Sequence, residues 1–261
     1  ARHGYYGMIS YIDEKIGQLV DVLEKTGQAE NTIVIVTSDH GEMLGERGMW
    51  FKQHFFDGAA KVPFIVYAPD KYKAARVSQN ISLVDLLPTL MEMATGEDFT
   101  DYAAPVDGNS LVPALNGDTS GMNDIILSEF AADGSTGPSR MVRKGPWKLM
   151  WLEGEDTLLY NLVDDPSEMN NLAGQAAHSE IQAELENILF DGWDPEALRV
   201  EIRASQERRL AIHHITDGEP SYVNVIREDD ADRYIRNAGA ADTKARARLP
   251  YVAPAVPDKA Y

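Results

Sequence analysis

The stretch Thr32-Ile33-Val34-Ile35-Val36-Thr37-Ser38-Asp39-His40-Gly41-Glu42 decides how this chain is read. Its first six residues are all β-branched and show no polar alternation. That pattern predicts a strand covered on both faces, as in a parallel sheet flanked by helices. Upstream, Tyr5, Met8, Ile9, Ile12, Ile16, Leu19, Val20 and Leu23 recur in steps of three and four, the spacing of an amphipathic helix. Gly27, just past Lys25, is placed to stop that helix, and its Met and aromatic positions read as core. Val62 to Tyr67 repeats the buried-strand pattern. A helix followed by a buried strand is α/β grammar.

Further along, Ser82-Leu83-Val84-Asp85 pairs a Ser cap with an acid three residues later and opens a helix that runs to about Ala94. Gly96 ends it. After a loop from Pro105 to Gly121 the grammar changes. Ile125 to Phe130, Arg140 to Val142, Trp147 to Trp151 and Thr157 to Leu162 are short strands separated by turn residues, which predicts an antiparallel meander. Helices return at Ser179 to Phe190 and Pro195 to His213. Gly218 to Tyr261 is polar and charged, either a disordered tail or an arm that packs on a partner subunit. The expected division is 1–122 for an α/β part, 123–191 for a small antiparallel sheet plus helix, and 192–261 for an extension.

Composition limits the function classes. Hydrophobic residues at 44% support a substantial core, and no stretch of about 18 uncharged apolar residues exists to span a bilayer. Forty-two acidic against 24 basic side chains leave a formal charge of −18. Nucleic-acid binding needs clustered Lys and Arg and is therefore disfavoured. A cationic ligand or a divalent metal is mildly favoured. There are no cysteines, so disulfides and thiolate chemistry are excluded within these residues. The chain opens on Ala1, without an initiator Met, and is read as a truncated start.

The chemistry concentrates in Ser38-Asp39-His40-Gly41-Glu42. In open α/β sheets, ligands bind beyond the carboxyl ends of the strands. Asp39 offers a hard oxygen and His40 an imidazole nitrogen, a pair suited to a divalent metal. The same residues also read as a turn with a capping Asp and an incidental His.

The residues that follow carry a resemblance. Leu44-Gly45-Glu46-Arg47-Gly48-Met49-Trp50-Phe51-Lys52 precedes Phe55-Phe56-Asp57-Gly58 and Val62-Pro63-Phe64. Together with Ser38 to Glu42 they resemble the type I sulfatases of the alkaline phosphatase superfamily. His directly after the Asp is similar to choline sulfatases and phosphonate monoester hydrolases. The helix with Asp13 and Gly17, Val84 to Thr89, Leu159-Tyr160-Asn161-Leu162, Asp165-Pro166 and Asn171-Leu172 extend the match to about residue 190. Trp193-Asp194 and Ser205 to Arg209 resemble the extension of choline sulfatases.

The resemblance implies the C-terminal part of an alkaline-phosphatase-like mixed or parallel sheet flanked by helices, plus a small antiparallel sheet. It implies hydrolysis of a sulfate monoester, with Asp39 and His40 completing a site for one divalent ion such as calcium or manganese. Lys52 matches the sulfate-binding lysine, where a compact ammonium neutralises charge as the ester bond breaks. The nucleophile would be a formylglycine upstream of Ala1, so these 261 residues alone are expected to hydrolyse nothing.

His3 and His54 are candidates for proton transfer. A choline ester requires a carboxylate and aromatic faces around its quaternary ammonium, and by position Glu129 resembles the choline-facing Glu. Asp242 resembles an Asp brought into a neighbouring active site, which implies a homo-oligomer, dimer or tetramer. The resemblance also implies a cytoplasmic enzyme. Two other readings stay open: a phosphonate or phosphate ester hydrolase of the same superfamily, and a non-catalytic metal-binding or oligomerisation module.

Overall fold

The structure is a computed structural model that describes residues 1–131, 135 and 137–215. Asp242 and the expected oligomer arm lie outside the described residues. The boundary between two compact units falls after Glu196.

The first helix, α1 (Arg2–Lys25), ends at Thr26 and Gly27, whose φ of 68° is one that glycine adopts without strain. The expectation that its apolar stripe is core does not hold, because α1 has no buried residue. Tyr6, Met8, Ile9, Tyr11, Ile12, Leu19 and Val22 are all at least half exposed. Amphipathic spacing shows that a face is built to be covered, but not by what.

The strands β1 (Val34–Thr37) and β2 (Phe64–Tyr67) form a two-stranded sheet. Their pairing is antiparallel, with Val34 opposite Tyr67 and Thr37 opposite Phe64, where the unbroken β-branched run pointed to parallel. Such a run reports burial rather than strand direction. Burial here is partial, since β1 is half-buried throughout and Ile65 and Tyr67 of β2 are exposed.

Between the strands, the loop from Ser38 to Phe56 leads into the short helix α2 (Asp57–Ala60). Ser82 and Asp85 form the expected capping box, the Asp85 carboxylate accepting the Ser82 N–H at 2.9 Å. Helix α3 (Leu86–Thr95) follows and stops at Gly96, φ 77°. Pro88 sits in its first turn, where a missing N–H costs no helical bond. The second Asp85 oxygen accepts from Asn109 N at 2.9 Å and ties in the loop before α4 (Val112–Leu115).

The meander is present as read: β3 (Ile125–Phe130), β4 (Ser139–Lys144), β5 (Trp147–Leu152) and β6 (Leu158–Asn161) pair antiparallel in that order. Both faces are covered. Val142, Leu149 and Leu159 pack against Leu185 and Leu189 of α5 (Ser179–Phe190). Their neighbours Met141, Met150 and Tyr160 point the other way, onto Met43, Phe55, Phe56 and Ala59 of the loop and α2. The small sheet is thus the floor on which the Asp39–Lys52 loop rests. Helix α6 (Pro195–Ile215) starts with Asp194 accepting the Glu196 N–H at 3.0 Å. No helix among the described residues is long and apolar enough to cross a membrane.

Candidate functional site

Asp39 and His40 leave the carboxyl end of β1 in a tight turn. The Ser38 hydroxyl donates to the His40 carbonyl at 2.9 Å, and the His40 N–H donates to Asp39 Oδ1 at 2.9 Å. Gly41 then passes so close to α2 that an added Cβ would lie 2.2 Å from the Gly58 carbonyl oxygen. Its N–H donates to Ala59 O at 2.7 Å. Only glycine permits that approach.

His40 Nδ1 lies 2.7 Å from the Gly41 carbonyl oxygen, which can only accept, so Nδ1 carries the proton. The lone pair is therefore on Nε2, the arrangement of an imidazole prepared to accept a proton or a metal. Lys52 Nζ donates to that atom at 2.6 Å. Asp39 Oδ2 stands 3.5 Å from Nε2 on a side chain that is 83% exposed. The backbone N–H of His40 holds the Asp39 carboxyl below its usual range, against an opposing effect of burial and with a lesser contribution from the Ser38 hydroxyl.

These three residues line an open cavity of about 880 Å³ together with His54, Arg143 and Glu129. Both ring nitrogens of His54 are shielded and have no hydrogen-bond partner among the described residues. Burial pushes its pKa down, helped by Arg47 and opposed by Glu42.

Glu129, on the edge strand β3, is among the residues that line the cavity. Register places it opposite Arg140, whose Nε lies 3.3 Å from its carboxylate. Arg140 also donates to Leu189 O at 2.7 Å and stacks over Trp193 at 5.3 Å. The carboxylate therefore shares the α5 face of the sheet with Arg140, whereas Ser128, opposite Met141, takes the loop face. His3 is exposed in the first turn of α1 and does not line the cavity. Its neighbour Arg2 reaches the loop, donating to Leu44 O at 2.5 Å.

Asp39 and His40 fit a divalent ion as two adjacent ligands, one carboxylate and one imidazole, the ion taking the Nε2 lone pair to which Lys52 now donates. Among the described residues no group of three or more His, Cys, Asp or Glu could complete such a site.

Sequence reasoning passed over the charged residues beneath the loop. Lys148, 1% exposed, donates from Nζ to Phe55 O at 3.0 Å, to Glu168 Oε1 at 2.7 Å and to Asp57 Oδ1. Glu168 Oε2 accepts the Asp57 N–H at 2.7 Å, and Arg47 donates to the Glu168 carbonyl while stacking 4.1 Å over Phe56. The available signal was a lysine between Trp147 and Leu149 in a strand, since lysine is buried only when paired.

The sulfatase family model matches residues 1–96. The chain is 35% identical to the choline-sulfatase of Rhizobium meliloti over 248 residues, 93% of this chain and 48% of that protein. It is 32% identical to the N-acetylglucosamine-6-O-sulfatase of Bacteroides thetaiotaomicron, over 71% of this chain and 34% of that one. Among solved structures, the phosphonate monoester hydrolase of Agrobacterium radiobacter superposes with a TM-score of 0.61 at 30% identity, covering 69% of this chain and 38% of that chain. The chain spans about half the length of the first of these relatives, and about a third of the second.

Proposed function

We propose, from the match of residues 1–96 to the sulfatase family model, that this chain supplies part of the active site of a sulfuric ester hydrolase. The observation that carries this reading is the 2.6 Å contact from Lys52 Nζ to His40 Nε2 beside the exposed Asp39 carboxylate, at the mouth of a cavity. Sulfate oxygens gain charge as the ester bond breaks, and a point-charge ammonium at that position neutralises it. Asp39 and His40 would hold a divalent ion, calcium or manganese in this reading. When bound, that ion polarises sulfate oxygens as a Lewis acid. The nucleophile is a formylglycine contributed from outside these 261 residues.

The finer proposal is choline sulfate as substrate, in a cytoplasmic homo-oligomer. It is supported by the 35% identity to a choline-sulfatase and by the presence of Glu129 among the residues that line the cavity. His3 is assigned to proton transfer and Asp242 to the quaternary ammonium on the strength of the resemblance. A second reading, phosphonate ester hydrolysis, is favoured by the fold likeness to a phosphonate monoester hydrolase and would use the same Asp39, His40 and Lys52.

The test is turnover of the intact enzyme on choline sulfate, 4-nitrophenyl sulfate and an aryl phosphonate monoester, with Lys52→Ala as control. Sulfate release from choline sulfate, reduced at least about a hundredfold by Lys52→Ala, is expected. Turnover of the phosphonate alone would move the assignment to the second reading. Turnover of none of the three would defeat both.

A further inference from the structure

Lys52 stands between two residues whose backbones lie in the left-handed region, Phe51 at φ 72° and Gln53 at φ 87°. Leu44 and Arg47, earlier in the same loop, are at 52° and 53°. None of the four is glycine, and each conformation persists only if surrounding contacts impose it.

Those contacts are identifiable. Glu42 Oε1 accepts the N–H of Phe51 at 2.6 Å and the N–H of Leu44 at 3.2 Å, so one carboxylate oxygen holds two of the left-handed residues. Phe51 O in turn accepts from Met43 N at 3.0 Å. Beyond Lys52, the buried Lys148 ammonium grips Phe55 O at 3.0 Å, and Glu168 grips the Asp57 N–H at 2.7 Å. The backbone is thus clamped on both sides of Lys52, while the lysine side chain itself is exposed and donates to His40. A four-carbon stem has many rotamers, so its ammonium stays on one acceptor only if the backbone that carries it is held.

We propose that Glu42 is a positioning residue, which holds Phe51 in its left-handed conformation directly before Lys52 and thereby keeps the Lys52 ammonium on His40 Nε2. The catalytic meaning of that placement rests on the sulfatase reading; the placement itself does not. The Glu42 carboxylate accepts from the backbone N–H groups of Leu44 and Phe51, so its effect on Lys52 passes through the backbone.

The experiment is ¹⁵N histidine NMR on the 261-residue chain, under conditions that keep imidazole neutral. Lys52→Met sets the His40 Nε2 resonance without its donor. Glu42→Ala is expected to move that resonance most of the way to the Lys52→Met position, with circular dichroism unchanged. Glu42→Gln, whose amide oxygen still accepts from Phe51, should rescue the wild-type position. If Glu42→Ala does not fold, Glu42→Asp, one methylene short, should give an intermediate shift. A folded Glu42→Ala or Glu42→Asp with the wild-type Nε2 resonance would overturn the proposal, as would a Lys52→Met variant that leaves it unmoved. The NMR readout is independent of turnover. Failed hydrolysis with these shifts intact defeats the enzymatic reading alone.

Discussion

Lys148 and Glu168 form an ion pair at 2.7 Å with side chains only 1% and 3% exposed. The pair lies at the junction of β5, the turn after β6 and the loop that carries Lys52. Asp57 completes it, with Arg143 3.7 Å and Lys61 3.9 Å from the second Asp57 oxygen. Charges this deep are tolerated because every Lys148 proton finds an oxygen: Phe55 O, Asp57 Oδ1 and Glu168 Oε1.

Lys148→Met should destabilise the first unit by about 3–5 kcal/mol, because it leaves the Glu168 carboxylate buried without its cation. Urea unfolding followed by tryptophan fluorescence reads this directly. Adding Glu168→Gln to Lys148→Met should recover part of the loss. A Lys148→Met protein as stable as wild type would show that the pair contributes nothing to holding the loop.

His54 predicts an acid-side loss of stability. Its pKa is depressed from 6.5 by burial, so below that value the unfolded chain takes up a proton that the folded chain resists. The contribution is fully present above pH 6.5 and is lost as pH falls through the lower folded-state value. Unfolding midpoints measured against pH should therefore fall less steeply below 6.5 for His54→Phe than for wild type. Equal slopes would rule His54 out as the source.

Glu129→Gln separates a substrate role from a purely structural pair with Arg140. In the intact enzyme it should raise KM for choline sulfate about tenfold, about 1.4 kcal/mol, and leave KM for 4-nitrophenyl sulfate unchanged. Equal changes for both substrates would assign Glu129 to the β3–β4 pairing alone.

Gly41→Ala places a methyl 2.2 Å from the Gly58 carbonyl oxygen. Neither backbone can yield without shifting α2, so a loss of about 1–3 kcal/mol is expected, again by urea unfolding. If the variant matches wild type, the loop and α2 do not approach this closely in solution.

Much of the fold could be read from short windows. The Ser82–Asp85 capping box, the stop at Gly96, the four-stranded meander and the limits of α5 all depend on residues within a few positions of one another. The adjacency of Asp39 and His40 was legible for the same reason. The direction of β1 against β2 was not, because a β-branched run is the same in either pairing. The cover for α1 was not legible either, since a stripe of apolar residues names no partner.

By itself the sequence determined which segments are helix and strand, and that a carboxylate and an imidazole sit side by side after a strand. Hydrogen-bond periodicity and capping act over a few residues, so they are written locally. Only the tertiary structure decided that Lys52 meets His40, and that Lys148 reaches Asp57 across 91 positions and Arg47 reaches Glu168 across 121. Those contacts exist because the small sheet packs Met141, Met150 and Tyr160 beneath the loop, and that burial brings together charges that no local pattern pairs.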